Sequence, residues 1–325
     1  MAIHPGRCRQ QRLRTHSLAA LLSALAVLPI VAGCADGGTA GSGSTTPRQA
    51  RQIIDVADTP ALPKNFRVVG AVADHGTDRT APSLTGLATL HASGSGVFSA
   101  AGLRAVSDHL PAGHGPVVDV DLRQESHLYV NGMPVSWFGD KDDANIGLSH
   151  DQVLADEQRR RTELERTRPV SFDWIPGKSV RPSGPVRGSK SVRTEADMVE
   201  QAGWRYVRLT VPDHHRPQNA EVDRFVTLVR GLPQGAWLHF HCRAGVGRTT
   251  TFMAMYDMMR NARRVSFGDI LRRQAWIGGK DLASDAHSDK PEARERAAFL
   301  RDFYAYAQRN ADGFKLPYSR WAAGR

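Results

Sequence analysis

Nine residues, His241-Cys242-Arg243-Ala244-Gly245-Val246-Gly247-Arg248-Thr249, constrain this chain more than any other feature of it. They follow a short apolar run, Ala236 to Phe240, and lead into an apolar stretch from Thr249 to Met259. The first has the length and composition of a buried strand, and the second is too hydrophobic for a surface helix. A strand that turns directly into a buried helix leaves N–H groups unpaired at the helix start. Gly245 and Gly247 give the backbone freedom for those groups to face inward as an anion-sized nest. The positive end of the helix dipole adds to the same field. Arg248, six residues after Cys242, can return its guanidinium to the cup and grip two oxygens of a tetrahedral anion. Cys242 then lies at the base, where comparable surroundings bring a thiol pKa down to roughly 3.5–7.5.

The rest of the chain alternates strand-like and helix-like pieces. Pro116 to Leu122 is short and β-branched, and His127 to Phe138 has two β-prone arms around Asn131-Gly132, a hairpin signal. Trp204 to Val211 is a further strand. Helices are expected from Ser99, over Asp151 to Thr167 with a solvated charged face, from Thr194-Glu195 to Ala202, over Glu221 to Arg230, and over Pro291 to Arg309. Such alternation predicts an α/β fold with a central, mostly parallel sheet flanked by helices. No repeat at solenoid spacing is present.

Cys-x5-Arg alone is a weak pattern. With His before the cysteine, Gly-x-Gly-Arg-Thr after it, and an apolar strand and helix on either side, it resembles the signature of the cysteine-dependent phosphatases, the protein-tyrosine-phosphatase fold. Sulfur-transfer and arsenate-reducing loops fit the full string less well. In that chemistry Cys242 attacks phosphorus and Arg248 and the loop amides of residues 243–247 hold the phosphoryl oxygens. Thr249 can donate its hydroxyl to the sulfur. His241 either braces the loop or is a satisfied core histidine. The leaving alcohol needs a proton from a separate loop. Asp213 in Thr210-Val211-Pro212-Asp213-His214-His215-Arg216-Pro217 directly follows a strand and is the candidate. The alternative for Asp213 is a turn former. No ligand spacing supports a metal at these histidines.

A longer set of residues resembles one branch of this superfamily, the bacterial protein-tyrosine-phosphatase-like phytases. It comprises Asn65-Phe66-Arg67, Ser93-Gly94-Ser95 with Phe98-Ser99, Asp121-Leu122-Arg123-Gln124-Glu125-Ser126-His127, Asn131-Gly132 with Val135-Ser136-Trp137, Ala144-Asn145, Asp213-His214, and Ile277-Gly278-Gly279. The resemblance implies a phosphatase domain over residues 52–325 with a small β-barrel-like insert near 127–194. It also implies stepwise removal of phosphates from inositol polyphosphates, without metal or organic cofactor. By the same resemblance Arg67 and Asp121 line the substrate pocket and His214 steadies the acid's loop. A polyanionic ring calls for several cations, and Arg67, Arg123, Arg243, Arg248 and Lys280 are available. Arg123 has a salt-bridge role as its alternative, and Lys280 the role of a surface lysine. Gln274 is a candidate for positioning water. Many relatives carry Glu where this chain has Arg243, so the cup is expected to be more basic. A phosphotyrosine or phosphoinositide substrate with the same mechanism therefore stands as the alternative.

The N-terminus carries Arg7, Arg9, Arg12 and Arg14 without an acid, then an apolar stretch from Leu18 to Val31 ending in Val31-Ala32-Gly33-Cys34. This has the form of a signal peptide, too short to span a bilayer comfortably. The terminal box resembles that of bacterial lipoproteins. It implies cleavage after residue 33, lipidation of Cys34 and a place in the cell envelope, with simple secretion as the alternative. Residues 34–51 are small and polar, as in a flexible tether. Of the three cysteines, Cys8 then leaves and Cys34 is lipidated, so Cys242 is the one thiol of the mature domain. Beyond residue 33 the chain holds 39 Lys and Arg against 33 Asp and Glu, a mild surplus that suits an anionic ligand. No run of basic residues points to nucleic acid.

Overall fold

The strands and helices sort into two sheets. The computed structural model describes residues 50–70, 81–139, 144–188 and 190–325, all within one compact unit that spans Thr46–Arg325. The proposed signal peptide, Cys34 and most of the tether lie outside the described residues. Among the described residues the strands are β1 (Arg51–Ile54), β2 (Arg67–Val68), β3 (Ala92–Ser95), β4 (Val117–Arg123), β5 (His127–Val130), β6 (Met133–Phe138), β7 (Val192–Arg193), β8 (Arg205–Val211) and β9 (Trp237–His241). The α-helices are α1 (Ala100–Asp108), α2 (His150–Arg166), α3 (Glu195–Gln201), α4 (Asn219–Arg230), α5 (Gly247–Asn261), α6 (Phe267–Trp276), α7 (Pro291–Arg309) and α8 (Tyr318–Ala323). Helices α6 and α8 are not among those expected from the sequence.

The larger sheet runs β2-β3-β9-β4-β8. Strands β3, β9, β4 and β8 are mutually parallel, and β2 is an antiparallel edge. The last strand in sequence therefore sits in the middle, between β3 and β4. In an open α/β sheet, a ligand site forms beyond the carboxyl ends at such a switch point. The ends of β3, β4, β8 and β9 deliver Ser95, Arg123, Val211 and His241 to one place.

Side-chain alternation along β4 and β9 gives the sheet two unlike faces. Val118, Val120, Leu122, Leu238 and Phe240 join the large apolar cluster formed with α4, α5, α6 and α7. The intervening residues Val117 and Trp237 pack with Leu103 and Val106 of α1 and with Met198 and Val199 of α3. The same second face carries Asp119, Asp121, His239 and His241, all fully buried.

Local signals place the flanking elements. Ser99 caps α1, accepting from the Gly102 N–H at 3.0 Å. Ser149 with Gln152, and Thr194 with Asp197, close capping boxes at α2 and α3. Asn131 and Gly132 both have positive φ, +50° and +83°, the twist that a two-residue hairpin needs. The hairpin β5–β6 lies in the smaller, antiparallel sheet, ordered β1-β6-β5-β7. That sheet takes β5, β6 and β7 from residues 127–193 and adds β1, which begins at Arg51. Its own core joins Leu128, Val135 and Trp137 to Leu164 of α2.

Candidate active site

Between β9 and α5 the chain closes into a cup. Cys242 is 2% exposed at its base, the free cysteine among the described residues. Its Sγ accepts from the Gly245 N–H at 3.3 Å and the Thr249 hydroxyl at 3.2 Å. Gly245 has φ +74°, and a Cβ there would fall 2.3 Å from the Gly96 nitrogen and 2.4 Å from the Ser95 carbonyl carbon. Only glycine fits on both counts. The start of α5 has no side-chain cap, so its first amides are left to the cup.

Arg248 returns over this loop. Its guanidinium forms a fork on Glu125, at 2.7 and 3.1 Å, and Nη1 donates to the Val211 carbonyl at 3.1 Å. Nη2 also lies 3.2 Å from Oδ1 of Asp213. Burial opposes its charge, but Glu125, Asp213 and Cys242 together hold its pKa well above the usual arginine value. Asp213 follows β8 and is about a quarter exposed. His214 Nε2 is 3.2 Å from Asp213 Oδ2, and the His214 carbonyl accepts from Arg296 at 2.8 Å. Asp285 anchors Arg296 in turn, at 2.7 and 2.9 Å. The acid loop is thereby tied to α7.

The structure thus brings Cys242, Arg248, Thr249, Asp213, His214 and the loop amides together. The other side chains expected around the substrate have protein partners. Arg243 turns outward, its Nε on Asp55 at 2.8 Å, a second nitrogen on the Lys178 carbonyl, and the guanidinium over Phe138. Asp121 is fully buried beneath the loop, with Tyr206 Oη at 2.8 Å, His127 Nε2 at 3.3 Å and Arg208 Nε at 3.4 Å. It cannot touch substrate from there. Arg67 is 6% exposed and donates to the Gly245 carbonyl at 2.8 Å. Burial pulls its pKa down to about 10, against the charge of Cys242. Lys280 pairs with Asp285. Arg123 has its salt-bridge role, held by Asp55 at 3.0 Å and Glu125 at 2.8 Å. Gln274 is fully buried on Asp257.

His241 is part of a buried ionic layer behind the loop. Its Nε2 is 2.6 Å from Glu195 and 3.4 Å from Asp119. Burial opposes protonation, yet these two carboxylates hold its pKa well above the ordinary value. His127 is raised to about 9, since Asp121 and Glu157 outweigh burial and two arginines. Burial raises Asp119 to about 7, whereas the two histidines keep Glu195 down at about 2 despite burial. His239, on Ser93 and Ser95, falls to about 3, by burial and by its charged neighbour His241. Asp119, Glu195 and His241, and likewise Asp121, His127 and Glu195, approach closely enough to hold a metal ion. With both imidazoles protonated and Arg208 alongside, the carboxylates already have cationic partners, and a metal would have to displace those protons.

Sequence reasoning assigned no role to Asp55, Glu125, Glu195 or Arg208. The one signal was the alternation of acids and bases in Asp121-Leu122-Arg123-Gln124-Glu125, unusual for a strand that must be buried.

Residues 120–260 match the family model of protein-tyrosine-phosphatase-like phytases, described as inositol hexakisphosphate. The tandemly repeated protein tyrosine phosphatase like phytase of Mitsuokella multacida is 38% identical, with a TM-score of 0.77 over 85% of this chain and 49% of that one. The phytase of Bdellovibrio bacteriovorus is 35% identical, with a TM-score of 0.67 over 86% of this chain and 97% of its own. Effector protein hopD2 of Pseudomonas syringae pv. tomato is 36% identical over 219 residues, 65% of this chain and 47% of that protein. The chain spans about half the length of the Mitsuokella and Pseudomonas proteins. Matched over nearly the whole of the Bdellovibrio enzyme, this chain belongs to the protein-tyrosine-phosphatase-like phytase family of cysteine-dependent phosphatases.

Proposed function

We propose that this protein hydrolyses phosphate monoesters of inositol polyphosphates through a cysteinyl-phosphate intermediate. The observation that carries the reading is the convergence on one cup of Cys242 Sγ, the Arg248 guanidinium and the Asp213 carboxyl, the last two 3.2 Å apart. A structure of the Mitsuokella enzyme holds myo-inositol-(1,3,4,5)-tetrakisphosphate, and that chain is 38% identical to this one with a TM-score of 0.76, over 86% of this chain and 48% of its own.

The geometry supports two steps. In the first, the sulfur attacks phosphorus in line, the P–O bond to the inositol breaks, and Asp213 gives its proton to the departing oxygen. The loop amides and Arg248 share the charge on the equatorial oxygens. In the second, Asp213 takes a proton from water, the water oxygen bonds to phosphorus, and the P–S bond breaks. The Thr249 hydroxyl, already donating to Sγ, stabilises the sulfur as it leaves. Glu125 holds both terminal nitrogens of Arg248.

A basic cup around Arg243 would favour a phosphoinositide or phosphotyrosine substrate. Its charge is committed to Asp55, which weakens that alternative. Phosphate release from phytate, a phosphotyrosine peptide and a phosphoinositide tests the choice. The expected order places phytate first in kcat/KM, and a higher value for either competitor overturns the assignment. From the sequence Val31-Ala32-Gly33-Cys34 we also propose lipidation at Cys34. Fatty-acid labelling is expected in the wild type and lost in Cys34→Ser; equal labelling of both refutes it.

A further inference from the structure

The amides of a phosphate nest can face inward only if the carbonyls of the same peptides face outward, because N–H and C=O point opposite ways across a trans peptide. Polar carbonyls turned into protein must find donors there. Along this loop every carbonyl from residue 243 to 247 has one. The Arg243 carbonyl accepts from the Val97 N–H at 3.1 Å, and the Ala244 carbonyl from Asn65 Nδ2 at 2.8 Å. The Gly245 carbonyl accepts from Arg67 Nη1 at 2.8 Å. The Val246 carbonyl accepts from the N–H and hydroxyl of Thr250, at 3.1 and 2.5 Å, and the Gly247 carbonyl from the Thr251 hydroxyl at 2.9 Å.

Two of these donors come from outside the loop–helix unit as side chains, Asn65 and Arg67. Arg67 also donates to Thr250 Oγ1 at 3.1 Å, the hydroxyl that serves the next carbonyl, and to the Asn65 carbonyl at 2.9 Å. Its guanidinium lies against Gly94 of β3, where an added Cβ would come within 3.4 Å of Cζ. The result of such orientation is visible at one peptide. Asn65 holds the Ala244 carbonyl, and the N–H of that same peptide, on Gly245, reaches Cys242 Sγ at 3.3 Å.

We propose that Arg67 and Asn65 are positioning residues that set the direction of the Gly245 and Val246 amides by gripping the carbonyls behind them, and that Arg67 does not bind the ring phosphates of the substrate. The proposal rests on the cysteine-phosphatase reading above. It differs from the pocket-lining role that the family resemblance implies for Arg67.

The two roles separate by substrate. A ligand for a distal phosphate matters to phytate and not to p-nitrophenyl phosphate, which has one phosphate. A residue that aims the nest matters equally to both. Arg67→Lys keeps the charge and loses the planar fork. We expect it to lower kcat by about 100-fold on both substrates, with KM nearly unchanged and vanadate inhibition weakened in parallel. Asn65→Gly suits the positive φ of +56° at this exposed site. It is expected to lower kcat by about tenfold on both, and it serves if the Arg67 variants do not fold. A loss confined to phytate with raised KM, or unchanged kcat and vanadate inhibition in both variants, overturns the proposal. Binding of inorganic phosphate to Cys242→Ser protein needs the nest but no turnover. Weaker binding after Arg67→Met or Asn65→Gly supports the positioning role even if neither substrate is hydrolysed, and unchanged binding refutes it.

Discussion

The two faces of β4 and β9 use the same strands for opposite purposes. On one, Val118, Val120, Leu238 and Phe240 lock the sheet to α4, α5 and α7 by apolar burial alone. On the other, Asp119, Asp121 and His241 meet Glu195, His127 and Arg208 in a layer of buried charge. Apolar burial is strong but directionless. Buried ion pairs add little net stability and a good deal of geometry, because each partner is costly to leave alone. The difference teaches where this fold needs accuracy: the charged face lies behind His241, one residue before the nucleophile, and its acids and bases continue through Glu125 to Arg248.

Removing one member of the charged layer is the most severe way to test this contrast. Glu195→Ala takes a carboxylate from two protonated histidines, leaving His241 with Asp119 and His127 with Asp121, and is expected to cost about 3–5 kcal/mol near pH 7. Leu238→Ala, on the apolar face, should cost about 2–5 kcal/mol. Denaturant unfolding at several pH values distinguishes them, since only the Glu195 loss should vary with pH. A pH-independent loss for both would erase the distinction.

The wild type should show the same asymmetry. His127 has a folded-state pKa of about 9, above its ordinary 6.5, so its contribution is complete below about 6.5 and is lost as pH rises through 9. That is on the order of 3 kcal/mol. Glu195, lowered to about 2, contributes fully above about 4.5 and less as pH falls towards 2. Thermal unfolding against pH should therefore decline at both ends, and His127→Gln should flatten the alkaline limb. An unchanged alkaline limb in that variant would place the titration elsewhere.

Smaller effects mark the edges of the charged region. Arg243→Met leaves Asp55 with Arg123 and Ser136, and is expected to cost about 1–3 kcal/mol while KM for phytate stays put. A large rise in KM would restore Arg243 as a substrate ligand. Arg161→Ala on α2 breaks exposed pairs with Glu165 and Asp197, each 3.1 Å, and should cost no more than about 1 kcal/mol. A greater loss there would show that surface charge matters to this fold as much as the buried layer does.

The cup was legible in the sequence because its parts are local. Cys242, Gly245, Arg248 and Thr249 lie within eight residues, and their strand and helix announce themselves by composition. The hairpin at Asn131-Gly132 and the capped helices were legible for the same reason. Arg67, Arg243 and Lys280 suit an anion by their charge, and the family resemblance adds Arg67 and Asp121 to the pocket. Their actual partners are the Gly245 carbonyl, His127, Asp55 and Asp285; the partners of Arg67 and Arg243 lie on segments that only the tertiary fold brings near, and those of Asp121 and Lys280 lie six and five residues away. Arg243 shows the limit most plainly: it adjoins the nucleophile in sequence, yet its guanidinium serves a residue 188 positions away.

The central claim is that Cys242 carries the phosphoryl group between two half-reactions. Rapid acid quench of the enzyme with phytate, followed by mass spectrometry of the peptide containing Cys242, tests it most directly. The account predicts a phosphoryl adduct on that cysteine in the wild type, and neither adduct nor phosphate release in Cys242→Ser. Phosphate release by Cys242→Ser at the wild-type rate would contradict it.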